Sequence, residues 1–499
     1  MVEIYMKECA YSYDVQALTR NFYPHQLIFL KSPDSFGKIQ EDTENIQDVE
    51  RIKIECKDTE IGISLFENEI PIFEKYLDVY PEETYKNQLK IALYQVLSKR
   101  TGRTLDWGTL TGVRPAKIIM TQMEEKEATL SSITKQMQKH YLCSEKKAEL
   151  GYQVAVKEKK LLSEIDYKNG YSIYIGIPFC PTTCSYCSFT SFSAVKYKNY
   201  MDTYLDALFK EIEYAKDCIK NRKLTTIYVG GGTPTALGEK QLERLLKKIV
   251  ESFDFTQVKE FTVEAGRPDS VNREKLLLLK KYGVDRISIN PQTMKDETLV
   301  RIGRSHTVAQ VKEAFALARE TGHDNINMDL IAGLPGETLK DIGETLKEIQ
   351  KLNPDSITVH SLVTKRAARL NQQGKQEVPQ NVDEMTEMAR LFAQNQGYEP
   401  YYMYRQKNAQ GSTTGANQEN IGYAYPGKEC IYNVLIMEEK HTILALGAGG
   451  ASKFVFQEEN RMERIENVKS LVDYIERTDE MIERKAAFLR KEGLNEREN

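Results

Sequence analysis

Three cysteines crowd one short loop: Cys180, Cys184 and Cys187, in the run Tyr174-Ile175-Gly176-Ile177-Pro178-Phe179-Cys180-Pro181-Thr182-Thr183-Cys184-Ser185-Tyr186-Cys187. Cysteine thiolates hold iron-sulfur clusters, normally four to a cubane, so three on one loop can take three corners and leave the fourth iron to a ligand that is also a reactant. Zinc is the alternative and needs a fourth Cys or His close by. The next cysteine is Cys218, and the flanking histidines are His140 and His306. Disulfides fit poorly, because three crowded cysteines cannot pair evenly and nothing points to an oxidising compartment. The remaining cysteines, Cys9, Cys56, Cys143, Cys218 and Cys430, are scattered and read as free buried thiols.

A loop of this kind must be carried by something rigid. From Tyr171 onward short β-branched strands alternate with amphipathic helices: strands at Tyr171 to Ile177, Thr225 to Val229, Glu260 to Glu264, Arg286 to Asn290, Asn325 to Ile331 and Ser356 to His360. The helices between them show apolar spacings of three and four, as in Met201, Tyr204, Leu205, Leu208, Phe209 and Ile212. Strand-helix alternation predicts a parallel sheet with right-handed crossovers, either doubly wound or an incomplete barrel of six units. Chemistry gathers at strand carboxyl ends in such sheets. The cysteine loop follows the first strand, Gly230-Gly231-Gly232-Thr233-Pro234-Thr235 the second, and Glu264 closes the third; Ser288 to Gln292, Asp329, and His360 with Ser361 close the rest. Taken singly these are ordinary features, a turn or a helix cap; together they predict one pocket.

The 499 residues divide into a strand-rich α+β module over 1–82, a helical segment over 83–165, the strand-helix core over 166–369 and a smaller carboxyl-terminal domain over 370–499, expected to cover the substrate. Sixty-nine Lys plus Arg against 73 Asp plus Glu give no global electrostatic case for nucleic acid or an anionic membrane. The start has no secretory signal pattern, and no apolar run is long enough to span a bilayer, so the expected address is the cytoplasm. The only tryptophan, Trp107, lies in a break between helices that reads as a packed loop.

The motifs together resemble the radical S-adenosylmethionine enzymes and, within them, the oxygen-independent coproporphyrinogen III oxidase family. They are the cysteine loop, GGGTPT at Gly230 to Thr235, Arg286-Ile287-Ser288 with Gln292, Ile302-Gly303-Arg304-Ser305-His306, and Met328-Asp329-Leu330-Ile331-Ala332-Gly333-Leu334-Pro335-Gly336. GVRPAK at Gly112 to Lys117, YRQKN from Tyr404, and Leu444 to Gly449 look like the long HemZ-type branch, related to HemN and HemW. The resemblance implies an incomplete (βα)6 radical SAM barrel. Cys180, Cys184 and Cys187 would hold a [4Fe-4S] cluster whose open iron chelates S-adenosylmethionine. Gly231, Gly232, Thr233, Tyr186 and Glu264 would line the cofactor's pocket, joined by Tyr174, Gln292, Arg304, Asp329 and Ser361, with room for a second S-adenosylmethionine.

The implied reaction is hydrogen abstraction from propionate side chains of coproporphyrinogen III, with loss of carbon dioxide, giving protoporphyrinogen IX. A tetracarboxylate needs cationic partners, and Arg304, Lys365, Arg366, Arg405 and Lys407 are the candidates. A reducing donor such as flavodoxin or ferredoxin would supply electrons. Two other activities fit the same apparatus, a heme-binding chaperone or carrier and a radical SAM heme-modifying methyltransferase. The chain carries Gly176 where some relatives have His, and Ser188 and Phe189 where some have a further cysteine; it has no tryptophan beyond Trp107, unlike the chaperone branch.

Overall fold

The computed structural model describes residues 1–24, 26–36, 49–67, 70–81, 83–125, 128–219, 222–362, 381–406 and 419–494, which fall into two compact units. The first unit comprises Met1–Ala155 with the described residues of 380–383 and 404–419. Its five-stranded sheet is built from β1 (Val2–Tyr5), β2 (Ile28–Lys31), β3 (Glu50–Cys56), β4 (Glu60–Glu67) and β5 (Ile70–Asp78), in the order β2-β1-β3-β4-β5. Period-two alternation puts Ile52, Ile54, Ile61, Ile63 and Leu65 inward against helices Ser12–Phe22 and Tyr85–Thr101, which bury Val15, Leu18, Phe22, Leu89, Leu93 and Leu97. Trp107 is wholly buried, its Nε1 donating to Glu419 Oε1 at 3.2 Å under the Arg405 guanidinium.

The second unit holds the strand-helix repeat. Strands β6 (Gly170–Ile177), β9 (Lys223–Gly231), β10 (Glu260–Glu264), β11 (Arg286–Ser288), β12 (Ile326–Ala332) and β13 (Ser356–Ser361) are parallel neighbours in sequence order, as six successive strand-helix units require; the two-residue strands β7 (Phe179–Cys180) and β8 (Phe192–Ser193) pair separately. Register levels one end of the sheet: Ile177 stands opposite Gly231, Glu264 opposite Ser288, and Ala332 opposite Ser361. The helices cover it with single apolar stripes. Glu239–Ser252 buries Leu242, Leu245, Leu246 and Ile249, at roughly 2 kcal/mol for each aliphatic side chain removed from water. Leu339–Leu352 does the same with Ile342, Leu346 and Ile349, started by a Thr338-Asp341 capping box.

The described residues beyond 370, which the sequence suggests as a separate domain, extend this same sheet at both edges. β16 (Thr442–Leu446) pairs parallel with β6, followed antiparallel by β17 (Ala451–Phe456) and β18 (Arg461–Glu466), while β15 (Glu419–Ala424) pairs antiparallel with β13 and β14 (Glu399–Arg405) lies beyond it. The physical reason is pairing: without them β6 and β13 would present unsatisfied ladder groups at both ends of the barrel. The fold is thus an α/β incomplete barrel, with seven parallel strands among the eleven that the described residues place in this sheet. Among the described residues no helix is long and apolar enough to cross a membrane.

Candidate functional site

The cysteine loop is anchored at both ends. Phe179 is fully buried and packs edge-on against Tyr204 at 5.4 Å, and Tyr204 donates its hydroxyl to Gly176 O at 2.6 Å. Farther along, Phe192 N donates to Pro178 O and Ala194 N to Cys180 O, so the chain returns beside its own start. The middle of the loop is tied to the segment after helix Asp296–Arg301: Ser185 N donates to Ile302 O at 3.0 Å and Thr182 Oγ1 to Gly303 O at 3.1 Å. All three cysteines are free and half-buried.

Each sulfur has a donor of its own. Thr233 Oγ1 lies 3.5 Å from Cys180 Sγ, Arg267 Nη1 lies 3.6 Å from Cys184 Sγ, and the Phe189 backbone N–H serves Cys187. Burial pushes the Cys180 thiol up to about 11 against the Thr233 hydrogen bond, and burial raises Cys187 as well.

The glycine triplet is packed against this loop. A Cβ on Gly232 would lie 2.6 Å from Phe179 O, 2.9 Å from Phe179 N and 3.0 Å from Cys180 Sγ. Gly231 has φ +109°, and a Cβ there would meet Ile177 N at 3.1 Å. Gly232 N donates to Ile177 O at 2.8 Å and Thr233 N to Phe179 O at 2.7 Å. The glycines are needed first for contact with the cysteine loop.

Glu264 sits across the triplet. It accepts the Tyr228 hydroxyl at 2.6 Å and the Gly231 N–H, and burial pushes its carboxyl up to about 7, with Asp329 adding to the effect. Tyr228 belongs to a triangle of near-parallel rings, 4.5 Å from Tyr432 and 6.2 Å from Tyr174, which itself lies 6.3 Å from Tyr432. Asp329 donates its N–H to Asn290 Oδ1 and accepts from Asn327; burial is outweighed by the nearby His360 and by hydrogen bonds from Asn327 and Thr358, which hold its carboxyl below the usual range.

Arg304 is buried and joins the two halves of the site: Nη1 donates to Asn290 O at 2.5 Å, Nη2 to Tyr186 Oη at 3.2 Å, and Cys184 lies beside the guanidinium. The strand expected to run to Asn290 ends at Ser288, because Gln292 turns at φ +69° and pairs its backbone with Asp329 and Ile331. Ser361 stands at the rim of β13, its N–H donated to Asn420 Oδ1. The structure therefore links the cysteines, Gly231, Gly232, Thr233, Tyr174, Tyr186, Glu264, Gln292, Arg304 and Asp329 by contact, and places Ser361 at the margin.

Residues 174–349 match the radical SAM superfamily. HemZ of Bacillus subtilis (strain 168), an oxygen-independent coproporphyrinogen-III oxidase-like protein, is 40% identical over 415 residues, covering 81% of this chain and 81% of HemZ. The chain belongs to the radical SAM superfamily, in the HemZ family. The heme chaperone HemW of the same organism is 38% identical over 212 residues, 42% of this chain and 55% of HemW. The solved structure of coproporphyrinogen III oxidase (HemN) from Escherichia coli, a radical SAM enzyme, superposes with a TM-score of 0.51 at 24% identity, over 65% of this chain and 73% of HemN, and shows the same fold.

Membership in the radical SAM superfamily brings a [4Fe-4S] cluster and S-adenosylmethionine as cofactors. The residues present fit them. Three thiols on one loop are available to a cluster, and the buried polar atoms Ser288 Oγ, Gln292 Oε1 and Arg304 Nε at the same strand ends have no protein partner, as a polar cofactor requires. No group of three His, Cys, Asp or Glu among the described residues is arranged to hold a single metal ion. A cubane instead distributes its thiolates over different irons.

Sequence reasoning missed several residues in contact with these groups. Arg267 and Tyr228 are in no recognised motif, and His360, noted only as a strand end, has Nε2 3.8 Å from Asp329 Oδ2. The run Gly266-Arg267-Pro268-Asp269 directly after the Glu264 strand was the signal for the first. Of the expected carboxylate-binding cations, Arg405 is committed elsewhere, its Nη1 donating to Leu110 O and Gly112 O. Lys365, Arg366 and Lys407 lie outside the described residues.

Proposed function

We propose that this chain catalyses the oxygen-independent oxidative decarboxylation of coproporphyrinogen III to protoporphyrinogen IX. The observation that carries the reading is the site itself, three donor-supported thiols beside a glycine triplet and a carboxylate, in a chain alike to HemZ along most of its length. Cys180, Cys184 and Cys187 hold the cluster; Gly231, Gly232, Thr233, Glu264, Gln292, Arg304 and Asp329 receive S-adenosylmethionine, with Tyr174, Tyr186 and Ser361 bounding the pocket. When bound, the two cofactors supply reductive carbon-sulfur cleavage and a fragment able to take a hydrogen atom.

Glu264 in its ionised form accepts from ribose hydroxyls, and the orphaned Arg304 Nε and Gln292 Oε1 offer one donor and one acceptor to the nucleotide. The clustered rings of Tyr174, Tyr228 and Tyr432 give the pocket beside Glu264 an apolar aromatic wall. Each propionate would lose one hydrogen atom, one electron and carbon dioxide to leave a vinyl group. The tetrapyrrole is the substrate partner, and a low-potential flavodoxin or ferredoxin the electron donor.

Anaerobic incubation of the reduced protein with coproporphyrinogen III and S-adenosylmethionine is expected to release carbon dioxide and 5′-deoxyadenosine and to give a product lighter by two formic acid equivalents by mass. Absence of all three, where a positive control turns over, refutes the oxidase. The likeness to HemW favours one other reading, a heme carrier that keeps the cofactors without this turnover. Stoichiometric heme uptake with no substrate-dependent cleavage would establish that one instead.

A further inference from the structure

Cys184 differs from the other two thiols in what surrounds it. Cys180 has a neutral hydroxyl beside it and Cys187 a backbone amide, but Cys184 is flanked by two buried guanidinium groups, those of Arg267 and Arg304. Arg267 is held rigidly. Its Nε and Nη2 donate to the two oxygens of Asp269, both at 2.9 Å, its Nη1 reaches Thr182 O at 3.2 Å, and its Nη2 reaches Thr182 Oγ1 at 2.9 Å and Ser305 Oγ at 3.3 Å. Asp269 in turn has His306 Nδ1 at 3.7 Å and accepts from Ser305 Oγ at 3.3 Å. Burial works against the Asp269 carboxylate, but the nearby His306 and the paired hydrogen bonds from Arg267 outweigh it and keep the acid charged.

We propose that Arg267 is a positioning residue that sets the reduction potential of the cluster through Cys184, with Asp269 fixing both its geometry and its net charge. The inference rests on the three cysteines being the cluster ligands. Reduction adds negative charge to the cluster and its sulfurs, and hydrogen bonds to those sulfurs are a recognised determinant of potential. A guanidinium donor 3.6 Å from one sulfur, screened by little water, favours the reduced state; its fork on Asp269 keeps one N–H aimed at Cys184. The opposed carboxylate moderates the effect.

The charges make the two obvious variants move in opposite directions, which a purely structural brace would not. Full-length wild type, Arg267→Gln and Asp269→Asn are reconstituted anaerobically, assayed for iron, and titrated against potential with the reduced cluster followed by electron paramagnetic resonance. Arg267→Gln is expected to keep its iron and to show a reduced-to-oxidised ratio at fixed poise lower by about tenfold, a negative shift of about 59 mV for one electron. Asp269→Asn should shift positive. Unchanged potentials, or shifts of the same sign, in variants that hold the cluster overturn the proposal. If Arg267→Gln holds no iron, Asp269→Asn decides alone, a positive shift supporting the proposal and any other result refuting it. Loss of iron from both variants also refutes it, since Arg267 is then a brace. A wild type that shows no cluster signal at all instead overturns the ligand assignment.

Discussion

Replacing Glu264 with Gln and following S-adenosylmethionine affinity against pH in both proteins tests the carboxylate's role with a worked magnitude. Burial pushes Glu264 up to about 7, opposed by the Tyr228 hydrogen bond, raised further by Asp329 and lowered by Arg286 and the Gly231 N–H. At about pH 6, one unit below, only roughly a tenth of the carboxyls are ionised, so an interaction needing the ionised form weakens about tenfold, or 1.4 kcal/mol. A protonated carboxyl still accepts through its carbonyl oxygen. The loss is therefore bounded by the difference between charged and neutral hydrogen bonds, about 1–2 kcal/mol.

Equilibrium binding, measured across roughly pH 6 to 8, contains the ligand's own titrations, but these cancel in the ratio of the Gln variant to wild type. That ratio is expected to rise from near unity at the acid end to about tenfold at the alkaline end. A ratio independent of pH refutes the role assigned to Glu264. The stability of the cofactor-free protein must slope the other way: a carboxyl whose folded value is raised binds its proton more tightly folded than unfolded, so its contribution is present at acid pH and is lost as pH rises from the ordinary carboxylate range towards 7.

Gly232→Ala is expected to reduce iron bound per chain after reconstitution severalfold, because the added Cβ meets backbone at 2.6 Å that cannot yield cheaply; Gly112→Ala, where a Cβ meets nothing within 4 Å, serves as the control and should bind iron normally. Lys485→Met should destabilise the second unit by about 3–5 kcal/mol, read as a lowered thermal transition and lost amide protection in helix Thr478–Lys491. It strands the buried Glu211 carboxylate, which then keeps only Gly447 N, Asn467 Nδ2 and Tyr474 Oη as donors. Adding Glu211→Gln should restore most of the loss, and failure to do so would mean that packing rather than charge governs the site.

The six strands of the core were legible because each is a β-branched run buried on both faces, and such runs differ plainly from the three-and-four spacing of the helices between them. β16 was not read as part of the barrel, since Thr442–Leu446 is short and pairs with β6, some 270 positions earlier in the chain. Site residues carried by compact motifs were found for the same local reason. Arg267 escaped because an arginine two residues before an aspartate is an ordinary loop pairing, and its partner sulfur on Cys184 is 83 positions away. Arg405 illustrates the converse: a tetracarboxylate substrate asks for cations, but composition does not distinguish a cation turned to a ligand from one sealing the Trp107 loop.

The glycine triplet couples two parts of the site that the sequence presents as separate motifs. On one side Gly232 N and Thr233 N donate to Ile177 O and Phe179 O at the root of the cysteine loop; on the other Gly231 N donates to Glu264. Shape changes at the carboxylate are therefore felt at Cys180. Glu264→Ala would leave the Gly231 N–H and the Tyr228 hydroxyl unpaired and buried, a penalty of about 1–3 kcal/mol for each group, relieved most directly by movement of the triplet and with it of the cysteine loop. Glu264→Gln keeps an acceptor in place and removes only the charge. The Ala variant is thus expected to lose iron as well as cofactor affinity and the Gln variant cofactor affinity alone; equal iron retention in both would show that the triplet holds its position without the carboxylate.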